Sequence, residues 1–228
     1  MYNSKGNPTI INCTFQENTA EEDGGGLYNY ASKPLLIKCT FTGNSTSANG
    51  GGLSNYNSSP ILINCTFSGN RAGNNGGGLY NESASDPVLT NCTFTGNSAG
   101  KEGSGICSYM VSDPIVSNCI LWDDNKEIWN IGGSTIRITY SDIRGGWTGE
   151  GNIDVDPLFA APENGDHHLK SEAGRWDPDS RTWVEDAVTS SCIDAGNPAD
   201  PVGLEPEPNG GRINMGAYGG TAEASKSK

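Results

Sequence analysis

Two adjacent carboxylates, Asp123-Asp124, are candidates for acid–base chemistry in this chain. Hydrolysis of a glycosidic bond needs two carboxyl groups held at a set separation. A second acidic run, Glu21-Glu22-Asp23, precedes a glycine triplet. Its equivalents one and two repeats later are Ser47-Ala48-Asn49 and Gly73-Asn74-Asn75, so no acidic patch builds along the chain. A solvated acidic loop is the plainer reading of both runs. Asp123 and Asp124 stand as the catalytic candidates, without a partner that spacing can assign.

The only histidines are the neighbours His167-His168. Adjacent residues of a strand point to opposite faces, which argues against a joint metal site and predicts one ring buried and one exposed. Alternating acids at Asp154 and Asp156, and again at Asp177 and Asp179, could ligate calcium, the one cofactor the sequence suggests. Their spacing does not fit an EF-hand loop, and such Asp also cap turns. Trp147, Trp176 and Trp183 are candidates to stack on a sugar face. Packing within a loop-rich cap is the plainer role for at least two of them.

The remaining candidates come as series. Cys13, Cys39, Cys65, Cys92 and Cys119 recur at spacings of 26, 26, 27 and 27 residues. Free, buried cysteines are expected, because in-register neighbours rarely give the torsion a disulfide needs. Thr14, Thr40, Thr66 and Thr93 keep the same step and should form an outward hydroxyl ladder. Such an array could bind ice or a crystalline glycan, although Thr also simply favours exposed strand sites. The sequons at Asn12, Asn44, Asn57, Asn64, Asn81 and Asn91 follow from Asn and Thr richness.

The elements that must position these residues are dictated by the repeat. Asn12-Cys13-Thr14-Phe15 recurs with Phe41, Phe67 and Phe94, and in degraded form at Asn118-Cys119-Ile120-Leu121. Prolines 8, 34, 60, 87 and 114, the glycine triplets from Gly24, Gly50 and Gly76, and Asn18, Asn44, Asn70 and Asn97 all keep step. A unit this short holds strand pieces and turns, with candidates at Pro34–Phe41 and Gly51–Asn55. No helical period appears before about residue 125. Short strands at a fixed period without crossover helices predict an all-β parallel solenoid in which identical side chains stack. Cys and Phe, two apart, share the inner face; the Asn18 series stacks at a turn.

Residues 1–144 are read as β-helix coils and residues 145–228 as a C-terminal region that closes the helix end and covers exposed strand edges. Thr135–Ile143 reads as a continuing strand. Met1-Tyr2-Asn3 lies 26 residues before Leu27-Tyr28-Asn29, so the chain starts inside a repeat. The natural protein is expected to extend upstream, where a signal peptide would lie. With 14 basic against 27 acidic residues, a formal charge of −13 excludes a nucleic-acid partner bound through phosphate neutralisation. No apolar run reaches the length of a membrane span, and a monomer is expected.

The motifs Gly25-Gly26-Leu27 and Phe15-Gln16-Glu17-Asn18, with their later copies, resemble the right-handed parallel β-helix repeats of bacterial surfaces, nearest the polymorphic outer-membrane-protein type. Gly151–Phe159, Ser191–Gly196 and Met215–Gly220 resemble the tail of secreted β-helix proteins with a choice-of-anchor segment. The resemblance implies export to the cell surface or medium and the fold, but no single activity. The expected function is a non-catalytic structural or adhesive module, with polysaccharide or cell-surface glycan as its ligand. A polysaccharide lyase or glycoside hydrolase is the alternative.

Overall fold

The computed structural model describes residues 1–123 and 126–228. Three six-stranded parallel sheets and one four-stranded sheet run side by side along one axis. In one repeat the strands are Leu27–Tyr30, Leu35–Ile37, Thr40–Thr42 and Ser45–Thr46. Each pairs in register with its equivalent one coil away, as in Leu36 with Leu62 and Phe41 with Phe67. We call the first three the tyrosine, leucine and threonine sheets.

The expected strand Pro34–Phe41 is therefore two strands. Lys38 breaks it with a left-handed backbone (φ 51°), as do Asn12, Asn64, Asn91 and Asn118 at the same place. Asn tolerates this region because its short amide hydrogen-bonds locally. The bend turns the chain between two sheets, and Cys and Phe then both enter the core. Tyr140 breaks Thr135–Ile143 in the same way, leaving Arg137–Thr139 and Asp142–Ile143.

Inside, Phe15, Phe41, Phe67 and Phe94 stack with ring centroids 4.5–4.7 Å apart. Cys39, Cys65, Cys92 and Cys119 are fully buried beside them. Each of these thiols faces carbonyl oxygens, as Cys39 Sγ does those of Ile10 and Ile37. The asparagine series forms a second internal ladder. Asn70 Nδ2 donates to Asn97 Oδ1 (2.8 Å) and to the Phe41 carbonyl (2.9 Å), while Asn70 Oδ1 accepts from Asn44 N and Nδ2. The amide's donors and acceptor are used without water, which is what a polar group at zero exposure requires. Glycine is needed where coils meet. A Cβ on Gly52 would fall 2.7 Å from the Gly78 carbonyl oxygen, and Gly24 has φ 79°.

Trp147 packs against the core at the helix end, and Ile153 pairs with Ser141 and Ile143 there. The rest of the tail does not stay at the end, as a simple closing cap would. It doubles back along the flank, where Phe159, Leu169, Cys192 and Met215 cluster on the outward side of Ile120. The corner asparagines hold it. Asn64 Nδ2 donates to Ala217 O (2.9 Å) and Gly219 O (2.8 Å), and Asn91 Nδ2 to Asn214 O and Gly216 O. Asn118 donates to Asp200 Oδ2 and accepts from Asn197 N.

Two buried carboxyls lock this strap. Glu205 Oε1 accepts from Asn214 N and Gly220 N, and burial pushes its pKa up to about 7. Asp142 accepts from Val155 N and the Cys192 thiol, and burial raises it likewise to about 7. Both values exceed those of the unfolded chain, so between about pH 4 and 7 the native state binds more protons. These two groups therefore favour folding most at low pH, and that contribution fades as pH rises to about 7. The Asp142→Asn/Glu205→Gln variant should gain melting temperature relative to the parent on going from pH 4.5 to 7.5. Parallel melting curves for the two proteins would contradict this.

All seven cysteines are free, and only Cys13 is exposed. Burial pushes the Cys107 thiol up to about 12. A maleimide should therefore label one thiol quickly in the native protein and all seven after unfolding, with Cys13→Ser removing the fast site.

Candidate functional site: a hydroxyl-floored groove beside the tail

Outward positions of the threonine sheet form two columns. One contains Thr14, Thr40, Thr66 and Thr93, the other Gln16, Thr42, Ser68 and Thr95. Thr14 is exposed and Thr40 half-buried, but Thr66 and Thr93 are buried, and Thr93 Oγ1 accepts from Ala217 N at 2.9 Å. The ladder expected to lie open is closed over its later coils by the strap. An extended array of the kind an ice or crystal surface would need is not present.

What remains is a groove where the tail meets the two columns. On one side a cleft of about 620 Å³ has Thr42, Ser68 and Thr95 on its floor, with Glu163, Asn164 and His167 on its wall. On the other a cleft of about 340 Å³ lies between Lys38 and Asn64 on the helix and Thr221 and Glu223 on the tail. Thr40, Thr66 and Tyr218 border both.

The wall is positioned by a hairpin of Phe159–Ala161 with Asp166–Leu169, joined by the single turn Pro162–Asn164. Both histidines on it are buried, against the expected alternation, because both faces of this hairpin are covered. His167 meets Phe159 edge-on at 5.4 Å, and burial lowers its pKa to about 4, so it is neutral at physiological pH. His168 lies under the Tyr218 ring at 3.6 Å, with Nδ1 2.6 Å from Asp166 Oδ1 and Nε2 4.0 Å from Glu223 Oε2. Burial alone would raise Asp166, but hydrogen bonds from His168 and the charge of Arg175 hold it below the ordinary carboxylate range. Burial pushes the Tyr218 phenol up. A carboxylate-oriented imidazole thus sits behind Tyr218 and Glu223 at the groove surface.

Other sequence candidates have structural partners. Asp123 occupies the next place in the asparagine ladder, its Oδ1 accepting from Asn97 N (2.7 Å) and Nδ2 (2.9 Å). It is buried beside Glu127, whose carboxyl is raised to about 10 by burial and the Asp123 charge. Asp124 lies outside the described residues. Asp154, Asp156 and Asp177 accept backbone amides at turns, from Gly145, Leu158 and Asp179. Among the described residues no group of three His, Cys, Asp or Glu could hold a metal ion. Trp176 and Trp183 pack on each other across a hairpin, 5.8 Å apart, with Lys226 over Trp183. Asn18 is exposed on the first coil, while Asn44, Asn70 and Asn97 are buried.

Sequence reasoning missed two features. The groove depends on a tail that folds back over residues more than a hundred positions away, which no periodicity announces. The aromatic columns of the tyrosine sheet, whose strand was expected at Gly51–Asn55, were missed although their signal was present: six of the eight tyrosines lie at its outward positions.

A family model described as a right-handed β-helix region matches residues 1–102, and one described as disaggregatase related matches residues 88–196. No curated protein and no solved structure matches the chain. Among the described residues no helix is long and apolar enough to cross a membrane. The synchronised repeat, the stacked parallel sheets and the matched first region make this chain a right-handed parallel β-helix repeat protein.

Proposed function

We propose that this β-helix is an exported or cell-surface module that binds an extended polysaccharide in the groove between the threonine sheet and the tail. The observation that carries the reading is the floor. The hydroxyls of Thr42, Ser68 and Thr95 repeat on three successive coils, about 4.8 Å apart, on a rigid sheet. A polymer lying along the axis would meet a hydroxyl at each of these steps. Glu163, Asn164 and Tyr218 add convergent polar and aromatic contacts on one wall. The acidic surface disfavours strongly anionic polymers and points to neutral or amino-sugar chains.

The test is affinity electrophoresis across a polysaccharide panel. At least one neutral or amino-sugar polymer should retard the parent chain. Ser68→Trp, which plugs the floor, should weaken retardation by about tenfold, the cost of ~1.4 kcal/mol. Equal retardation of the two would remove the groove from the argument.

A second reading, a polysaccharide lyase or hydrolase, is favoured by the Asp166–His168 pair behind Glu223. The words "disaggregatase related" describe one matched family and fit an activity on a matrix polymer. If it holds, reducing-end release or unsaturated-product absorbance appears with the parent and falls by about 10²-fold in Glu223→Gln, while retardation persists. No turnover with any retarded polymer leaves the binding module.

A further inference from the structure

One outward column of the tyrosine sheet reads Tyr30, Tyr56, Glu82, Tyr109, one residue per coil. The rings of Tyr30 and Tyr56 stack at 5.6 Å and 11°. Glu82 then interrupts the ladder, and Tyr109 resumes it. Tyr56 and Tyr109 are therefore two coils apart, about 9.6 Å at the usual strand spacing. Glu82, which shares a side-chain hydrogen bond with Tyr80, is the one residue of this column between the two tyrosines.

Three observations fix what fits the gap. The twelve outward positions of this sheet contain no Lys or Arg. Among the described residues no cation pairs with Glu82. Burial and the nearby charge of Asp23 raise Glu82, while a hydrogen bond with the Tyr80 side chain favours its carboxylate form, so the charges that reach this place are acidic. Beside it Met110 (46% exposed) and Val111 (59% exposed) form an apolar rim that a single coil leaves uncovered.

We propose that this missing rung is a receptor for an arginine side chain of a partner polypeptide, its guanidinium stacked between Tyr56 and Tyr109 and paired with Glu82. A guanidinium is planar, weakly hydrated and stacks on aromatic faces, whereas an ammonium cannot fill a ring-shaped slot. Its fork matches a carboxylate with two hydrogen bonds. The apolar rim takes the residues flanking the arginine, and the charge of −13 speeds encounter with a basic segment. The surface lies on a different sheet from the glycan groove and does not depend on it.

The experiment titrates the full chain with a capped Gly-Arg-Gly-Arg-Gly peptide and its lysine counterpart at physiological salt, read by tyrosine fluorescence and calorimetry. The arginine peptide should bind about tenfold tighter than the lysine peptide. Glu82→Gln should weaken it by about tenfold through loss of the ion pair. Glu82→Tyr completes the stack, leaves the coil folded by circular dichroism and should abolish the preference for arginine. Glu163→Gln, at the wall of the separate groove, should leave binding of the arginine peptide unchanged. Equal binding of the two peptides, or an arginine preference that survives Glu82→Tyr, would overturn the assignment and leave only unspecific attraction to an acidic surface.

Discussion

The structure depends on one constraint: every coil must place the same polar atoms in the same place as the coil before it. The asparagine ladder shows why. Asn44, Asn70 and Asn97 are fully buried, and each amide is satisfied by the amides and carbonyls of its neighbours, with the Asp123 carboxylate completing the row at Asn97. An amide shifted by one residue would leave several buried donors and acceptors unpaired, at about 1–3 kcal/mol each. The phenylalanine stack fills space but tolerates small slips. The ladder does not, so it fixes register.

The same constraint explains which substitutions the repeat accepts. Asp123 stands where an asparagine would continue the ladder, and as the last member it is used as an acceptor for Asn97. Ile120 replaces the outward threonine at the level where the tail builds its own small core, so an apolar side chain finds apolar partners. Glu82 replaces a tyrosine in the middle of an aromatic column, where its carboxyl shares a hydrogen bond with the Tyr80 side chain of the same strand.

The fold was legible because a solenoid writes its geometry into sequence at a fixed period. Cys13 to Cys119 and Phe15 to Phe94 gave the coil length, the inner face and the parallel pairing. The corners were less legible. That Lys38 takes the left-handed place of an asparagine cannot be read from its own type. The site was least legible, since Tyr218, His168 and Thr66 meet only through the folded-back tail, whose residues follow no period. The threonines illustrate the difference: their outward direction followed from alternation with Phe, whereas the covering of Thr66 and Thr93 followed from a strap that alternation cannot foresee.

The strap also divides the molecule in time. Coils join residues 26 or 27 apart, so each new coil closes a loop of the same modest entropy and the helix can grow by repetition. Asn91 and Asn64 instead reach partners 123 to 155 residues away, contacts that form only once the coils exist to present those asparagines in a row. One wall of the groove is thus the last part of the protein to be assembled. The ladders beneath it close their own hydrogen bonds from coil to coil, so the two sets of contacts are separate.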